Sequence, residues 1–186
     1  MAKQRTSAQA KRKAGLTRER LRKRYLPARV RVLFVGEAPP ASGRFFYQAD
    51  SGLYRAIRDA FVRVFPAMGE REFLESFRAL DCYLVDLCSR PVDRLPGGRR
   101  ARACRNSESR LAGILQQLRP EVVISVVRSI SANVMRSQGR AGWSGRFIEL
   151  PYPGRWHHHR AAFIRGLALE LRKTYRCRSA KSSFIT

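Results

Sequence analysis

The sequence predicts an α/β protein, a three-layer α/β/α body around a central sheet of four mostly parallel strands. Three observations predict it. Four short apolar runs are spaced along the chain, helix-patterned segments separate successive runs, and parallel neighbours require such crossover connections. The length of 186 residues suits one domain, and 44% hydrophobic residues supply a core in spite of a formal net charge of +24. The expected divisions are a basic, flexible arm over 1–29, the α/β domain over 30–175 and a basic tail over 176–186.

The arm holds a possible short helix from Leu16 to Tyr25 with a largely positive face. Val30, Val32, Leu33, Phe34 and Val35, ended by Gly36, form the first buried strand. Asp50 or Ser51 caps a helix in which Leu53, Ile57, Phe61 and Val64 share one face. A weaker helix follows over Glu70 to Phe77. The run Cys82 to Leu87 makes the second strand, and Ser89 to Asn106, rich in Pro, Gly and Arg, reads as a loop. Ser107 precedes a helix with Leu111, Ile114, Leu115 and Leu118 on one face, closed by Pro120. Val122 to Val127 is the most β-branched run and is expected to be covered on both faces. Ser129 to Ser137 reads as helical, Phe147 to Leu150 as the fourth strand, and Phe163, Leu167 and Leu171 mark the last helix.

Charge points to a class of partner. Residues 1 to 31 contain twelve Lys and Arg against one acid, and residues 172 to 186 contain five with none, so the termini carry +16 and the body +8. A body that is itself basic suits a polyanion such as nucleic acid, although attachment to a ribosome or an acidic membrane gives a similar sum. No apolar run approaches the ~18 residues of a membrane span, and no apolar stretch follows the basic N-terminus as in a signal peptide. The expectation is a soluble, cytoplasmic monomer, nucleoid-associated in a bacterium.

In open α/β sheets ligands bind beyond the carboxyl ends of the strands, so the segments after Val35, Leu87, Val127 and Leu150 should surround one site. The first is Gly36-Glu37-Ala38-Pro39-Pro40, continuing through Gly43-Arg44-Phe45-Phe46-Tyr47. It is similar to the first motif of the uracil-DNA glycosylase superfamily, above all to the branches that read Gly-Glu-Ala-Pro-Gly or Gly-Leu-Ala-Pro-Ala and then Gly-Arg-Pro-Phe. Tyr83-Leu84-Val85-Asp86, followed by Arg90-Pro91, resembles the strand that in the family ends in a base-reading Asn. Leu118 to Ile124 resembles the next helix-to-strand junction, and Leu150-Pro151-Tyr152-Pro153-Gly154 falls where the family has His-Pro-Ser or Asn-Pro-Ser. The resemblance covers about Val30 to Leu171.

The resemblance implies a DNA glycosylase that flips a deaminated or damaged base out of a duplex and hydrolyses its bond to C1′. Glu37 would place or deprotonate the attacking water and stabilise the sugar cation, with Tyr152 as the second catalytic residue. Gly36, Ala38, Pro39, Phe46 and Asp86 would bind the base, Phe46 by stacking, worth roughly 1–3 kcal/mol. Arg44, Pro153, Gly154, Arg155, Trp156, His157, His158 and His159 would meet DNA, with Arg155 and Trp156 as the wedge and Arg160 beside the histidines. On the residues alone, Glu37 also fits a loop cap, Phe45 and Phe46 fit a core, and the three histidines fit a solvated helix start better than a zinc site.

Three departures refine the expectation. An ionised Asp86 only accepts hydrogen bonds where Asn would also donate, which favours a deaminated purine such as hypoxanthine over uracil unless burial protonates the acid. Tyr152 replaces a better charge partner, so a catalytically impaired nucleic-acid-binding module is the alternative. Cys88 and Cys104 resemble two of four iron-sulfur ligands of the thermophile-type branch, but no cysteine precedes Gly36, so no cluster and no other cofactor or metal is expected. The absence of a Gly-x-Ser-x-Gly elbow or a phosphate-cradling Gly-rich loop disfavours an unrelated hydrolase.

Overall fold

The structure, a computed structural model, describes residues 15–68, 72–154 and 156–179. Strands β1 (Val32–Gly36), β2 (Cys82–Asp86), β3 (Val122–Ser125) and β4 (Arg146–Glu149) form one sheet in the order β2-β1-β3-β4. Every pairing is parallel, so the expected mostly parallel sheet is wholly so. Register sets Gly36 beside Asp86, Val35 beside Ser125 and Ser125 beside Glu149, which brings all four carboxyl ends to one edge. The inner strands β1 and β3 and the edge strand β2 are buried along their whole length, as strands covered on both faces must be.

Helix α1 covers 15–24, followed by α2 (Gly52–Val64), α3 (Phe73–Ala79), α4 (Gly97–Asn106), α5 (Glu108–Leu118), α6 (Ser131–Ala141) and α7 (His157–Ser179). The pairs α2–α7 and α5–α6 pack together and flank the sheet to complete three layers. Phe34 of β1 meets Phe61 of α2 and Phe77 of α3, so the apolar face expected of α2 supplies the core. Of its two candidate caps, Ser51 accepts from the Tyr54 amide at 3.1 Å, while Asp50 accepts from the Phe45 amide at 2.7 Å. Among the described residues no helix is long and apolar enough to cross a membrane.

Two stretches differ from expectation. The expected loop Ser89 to Asn106 ends in α4, a helix that begins just after Pro96 and buries only Cys104. Its Ala and Arg residues are good helix formers, and the Pro-Gly-Gly that reads as a break is the helix start. Helix α1 is docked onto the body: Leu21 and Tyr25 pack against the core, and Tyr25 stacks on Tyr47 with ring centroids 5.5 Å apart. Residues 1–14 of the arm lie outside the described residues, as do 180–186 of the tail.

Candidate functional site

The chain leaves β1 and β2 side by side. The Leu87 amide donates to the Gly36 carbonyl and the Cys88 amide to the Glu37 carbonyl, both at 2.8 Å, so pairing continues past the strand ends and holds Glu37 next to the segment after Asp86. The same edge receives the Val126 amide on the Val35 carbonyl at 3.1 Å and the Leu150 amide on the Ser125 carbonyl at 2.9 Å. Glu37 and Asp86 thus emerge at one end of two adjacent strands, as the sequence predicts.

Their surroundings differ. Asp86 is 8% exposed, and burial pushes its carboxyl up to about 6, against the opposing pull of Arg22, Arg110 and Arg18. Two of those arginines belong to α1, which brings positive charge to the end of β2. Arg110 of α5 donates to the carbonyls of Asp86 at 2.9 Å and Leu87 at 3.3 Å. A Cβ at Gly36 would stand 2.7 Å from an Asp86 carboxylate oxygen, so any larger residue there would force the Asp86 side chain to move. The glycine that the sequence suggests is open to a ligand gives its space to a side chain of the protein.

Glu37 is half-buried and ion-paired. Arg100 of α4 donates through Nε to Oε1 at 2.6 Å and through Nη2 to Oε2. Behind the carboxylate, Cys104 Sγ lies 3.8 Å from Oε1 and 3.8 Å from Cys88 Sγ, and Ser107 donates to Cys88 Sγ at 3.5 Å. Cys104 is pushed up to about 12 by burial and by its Cys88 neighbour. Cys82 sits at the opposite end of β2, against Tyr175. Among the described residues no group of three or more His, Cys, Asp or Glu side chains is placed to hold a metal ion.

Phe46 corrects the expectation of a stacking platform. It is 3% exposed, in a short 3-10 turn (Phe46–Gln48), and its ring is enclosed by Tyr47, Tyr54 and Phe77. The turn directs both Phe45 and Phe46 into the aromatic core. Tyr47 serves the edge strand instead: its hydroxyl accepts from the Leu84 amide at 2.7 Å and donates to the Leu84 carbonyl at 3.0 Å. Of the remaining first-motif residues, Ala38 is half-buried, Pro39 is buried and Arg44 is exposed. The Ala41 amide donates to Asp93 at 3.1 Å, which ties this loop to the one leading to α4.

Beyond β4, Pro153 is buried and Gly154 half-buried, while Tyr152 and Trp156 are 53% and 68% exposed. Arg155 lies outside the described residues. His157, His158 and His159 are exposed at the start of α7, the solvated helix start weighed above. Arg160 is not free for phosphate, since its guanidinium meets Asp59 of α2 at 2.6 Å.

Several features of the structure carry no local signal in the sequence. Arg100 and the α1 arginines escape notice because basic residues abound and nothing local marks the ones that turn inward. Glu108, buried at the start of α5, joins α5 to α6 by accepting from Asn133 at 2.8 Å and Arg136 at 2.9 Å. Burial alone would raise Glu108, but those bonds hold it below the ordinary carboxylate value. A groove of about 590 Å³ runs along Leu115, Arg119, Trp143 and Gly145 near the amino ends of β3 and β4. A second, of about 300 Å³, lies between Tyr25, Tyr54 and Glu72. Neither is lined by Glu37, Asp86 or Tyr152. No protein-family model matches the chain, and a search of curated proteins finds no significant match.

Proposed function

We propose that this protein is a monofunctional DNA glycosylase of the uracil-DNA glycosylase kind. It would hydrolyse the N-glycosidic bond of a deaminated or damaged base, of the uracil or hypoxanthine type, after flipping it from a duplex. The observation that carries the reading is the placement of Glu37 and Asp86 at the carboxyl ends of adjacent parallel strands, one carboxylate reachable by solvent and one buried. Acid-base tasks are divided between carboxyl groups by such differences in environment.

In this reading the C1′–N bond breaks with its electron pair on the base, and water supplies the oxygen that ends on C1′. Glu37, once clear of Arg100, orients the water, takes its proton and opposes the positive charge on the sugar. Asp86 reads the base edge. As a carboxylate it accepts from base N–H groups, and once protonated it both donates and accepts in the manner of an amide. Tyr152 donates to the departing base, and Trp156 fills the gap left in the duplex. The basic surface attracts the DNA backbone.

One observation favours a second reading, a nucleic-acid-binding module without turnover. Both Glu37 oxygens are held by Arg100, and Phe46 offers no ring to a base. The two readings part in one experiment. Duplexes carrying uracil, hypoxanthine or xanthine are incubated with the protein and abasic sites are cleaved with alkali. Breaks with the wild type that vanish in Glu37→Gln support the enzyme, and salt-sensitive binding without breaks supports the module.

A further inference from the structure

Helix α4 presents a row of cations beside the candidate site. Arg99, Arg102 and Arg105 recur every three residues along one side, all are exposed, and among the described residues none has a carboxylate partner. The inner side is different: Cys104 is buried, and Arg100 reaches the carboxyl edge of the sheet to grip Glu37. One short helix therefore joins three uncommitted guanidinium groups to the one that holds the Glu37 carboxylate.

The spacing suits a phosphate backbone. Arginines on one helix face can meet successive phosphates, and each contact adds counterion release to the affinity. Exposed Tyr152 and Trp156 follow β4 at the same edge of the sheet. The Arg100 side chain is 42% exposed against 15% for Glu37, so phosphate can reach the guanidinium without unfolding anything. The pair is held at two points, but its guanidinium faces water, where a phosphate can compete with the carboxylate for its N–H groups.

We propose that α4 is a phosphate-contact helix for duplex nucleic acid, and that engaging the backbone draws Arg100 off Glu37 and frees the carboxylate only when a duplex is in place. The docking half stands by itself; the release half rests on the glycosylase reading. The device would keep a competent carboxylate covered until substrate arrives.

The test uses the full chain and a lesion-free duplex, so that neither arm depends on base removal. Duplex affinity is measured against salt for the wild type and for R99Q/R102Q/R105Q, whose changes lie on the exposed face. Losing three contacts lowers the slope of log affinity against log salt by about 2.7, so between 50 and 200 mM salt the wild type should lose about 40-fold more affinity than the variant. An unchanged slope overturns α4 as the contact. Equal loss of binding to phosphatidylserine-rich vesicles would assign the face to anionic lipid and also overturn it. The Arg100 Nε–H proton is then followed by NMR. It should be protected in the free protein, lose protection at saturating duplex and keep it in the triple variant with the same duplex. Protection that persists in the saturated wild type overturns the release. A reduced slope with no base released from any lesion leaves α4 as a contact and counts against the glycosylase reading alone.

Discussion

Replacing Asp86 by Asn removes a buried charge and keeps the shape of the side chain, and its effect on stability follows from the titration of the acid. Burial raises Asp86 from an ordinary 3.8 to about 6, with Arg22, Arg110 and Arg18 pulling the other way. An acid whose folded pKa exceeds its unfolded pKa binds its proton more tightly in the folded state, so the folded state loses stability as pH climbs from about 4 to about 6. Above that window the whole gap is felt, and at 1.36 kcal/mol per pH unit it amounts to about 3 kcal/mol. Asn stands in for the protonated acid and escapes the penalty. Asp86→Asn should exceed the wild type by about 3 kcal/mol at pH 8, roughly 6–12 °C in Tm for a chain of this size. At pH 4, close to the unfolded value, most of the difference should be gone. Urea unfolding of both proteins at pH 4, 6 and 8 measures it, and every other charge is common to the pair. A difference that does not change with pH, or a less stable variant at pH 8, refutes the account of Asp86 as a carboxylate held in a dry site.

Below about pH 6 a protonated Asp86 donates and accepts like an amide, so preference for uracil over hypoxanthine should rise between pH 7 and 5 in the wild type and stay flat in Asp86→Asn, as read from alkali-sensitive breaks. Arg22→Gln removes the largest charge opposing burial, so the Asp86 midpoint, followed by carboxyl NMR, should move above about 6. Phe46→Ala should cost about 3–5 kcal/mol in urea unfolding, as a truncated core ring does, whereas an exposed stacking ring would leave stability nearly unchanged. With Cys104 pushed up to about 12 and Cys88 buried against it, iodoacetamide at pH 8 should label neither thiol until the protein unfolds, as mass spectrometry of the modified peptides would show.

The parts of the fold that the sequence makes legible are those where a single local pattern decides the outcome. The β-branched run from Val122 is apolar on both faces and so needs cover on both, as β3 has, and the period of Leu53, Ile57 and Phe61 leaves one face of α2 to the core. Alternation of the two element types then requires a parallel sheet, and from it follows the convergence of Glu37 and Asp86 at one edge. The illegible parts depend on partners distant in sequence. Arg100 meets Glu37 across 63 residues, and Tyr25 stacks on Tyr47 through a docking that no periodicity in α1 announces. Phe46 shows the limit of motif reasoning, because the motif places the residue and the 3-10 turn decides which way its ring points. In α4, Pro and two glycines hide a helix carried by its arginines and alanines.

The most direct test of the central claim, that the strand-end carboxylates form a hydrolytic site, is to follow the oxygen. The full chain acts on uracil and hypoxanthine duplexes in water enriched in oxygen-18, and mass spectrometry reads the released base and the abasic strand. The account predicts free base, one labelled oxygen at C1′ of the abasic sugar, and loss of both in Glu37→Gln. An intact strand with either duplex, or release that Glu37→Gln leaves unchanged, contradicts it.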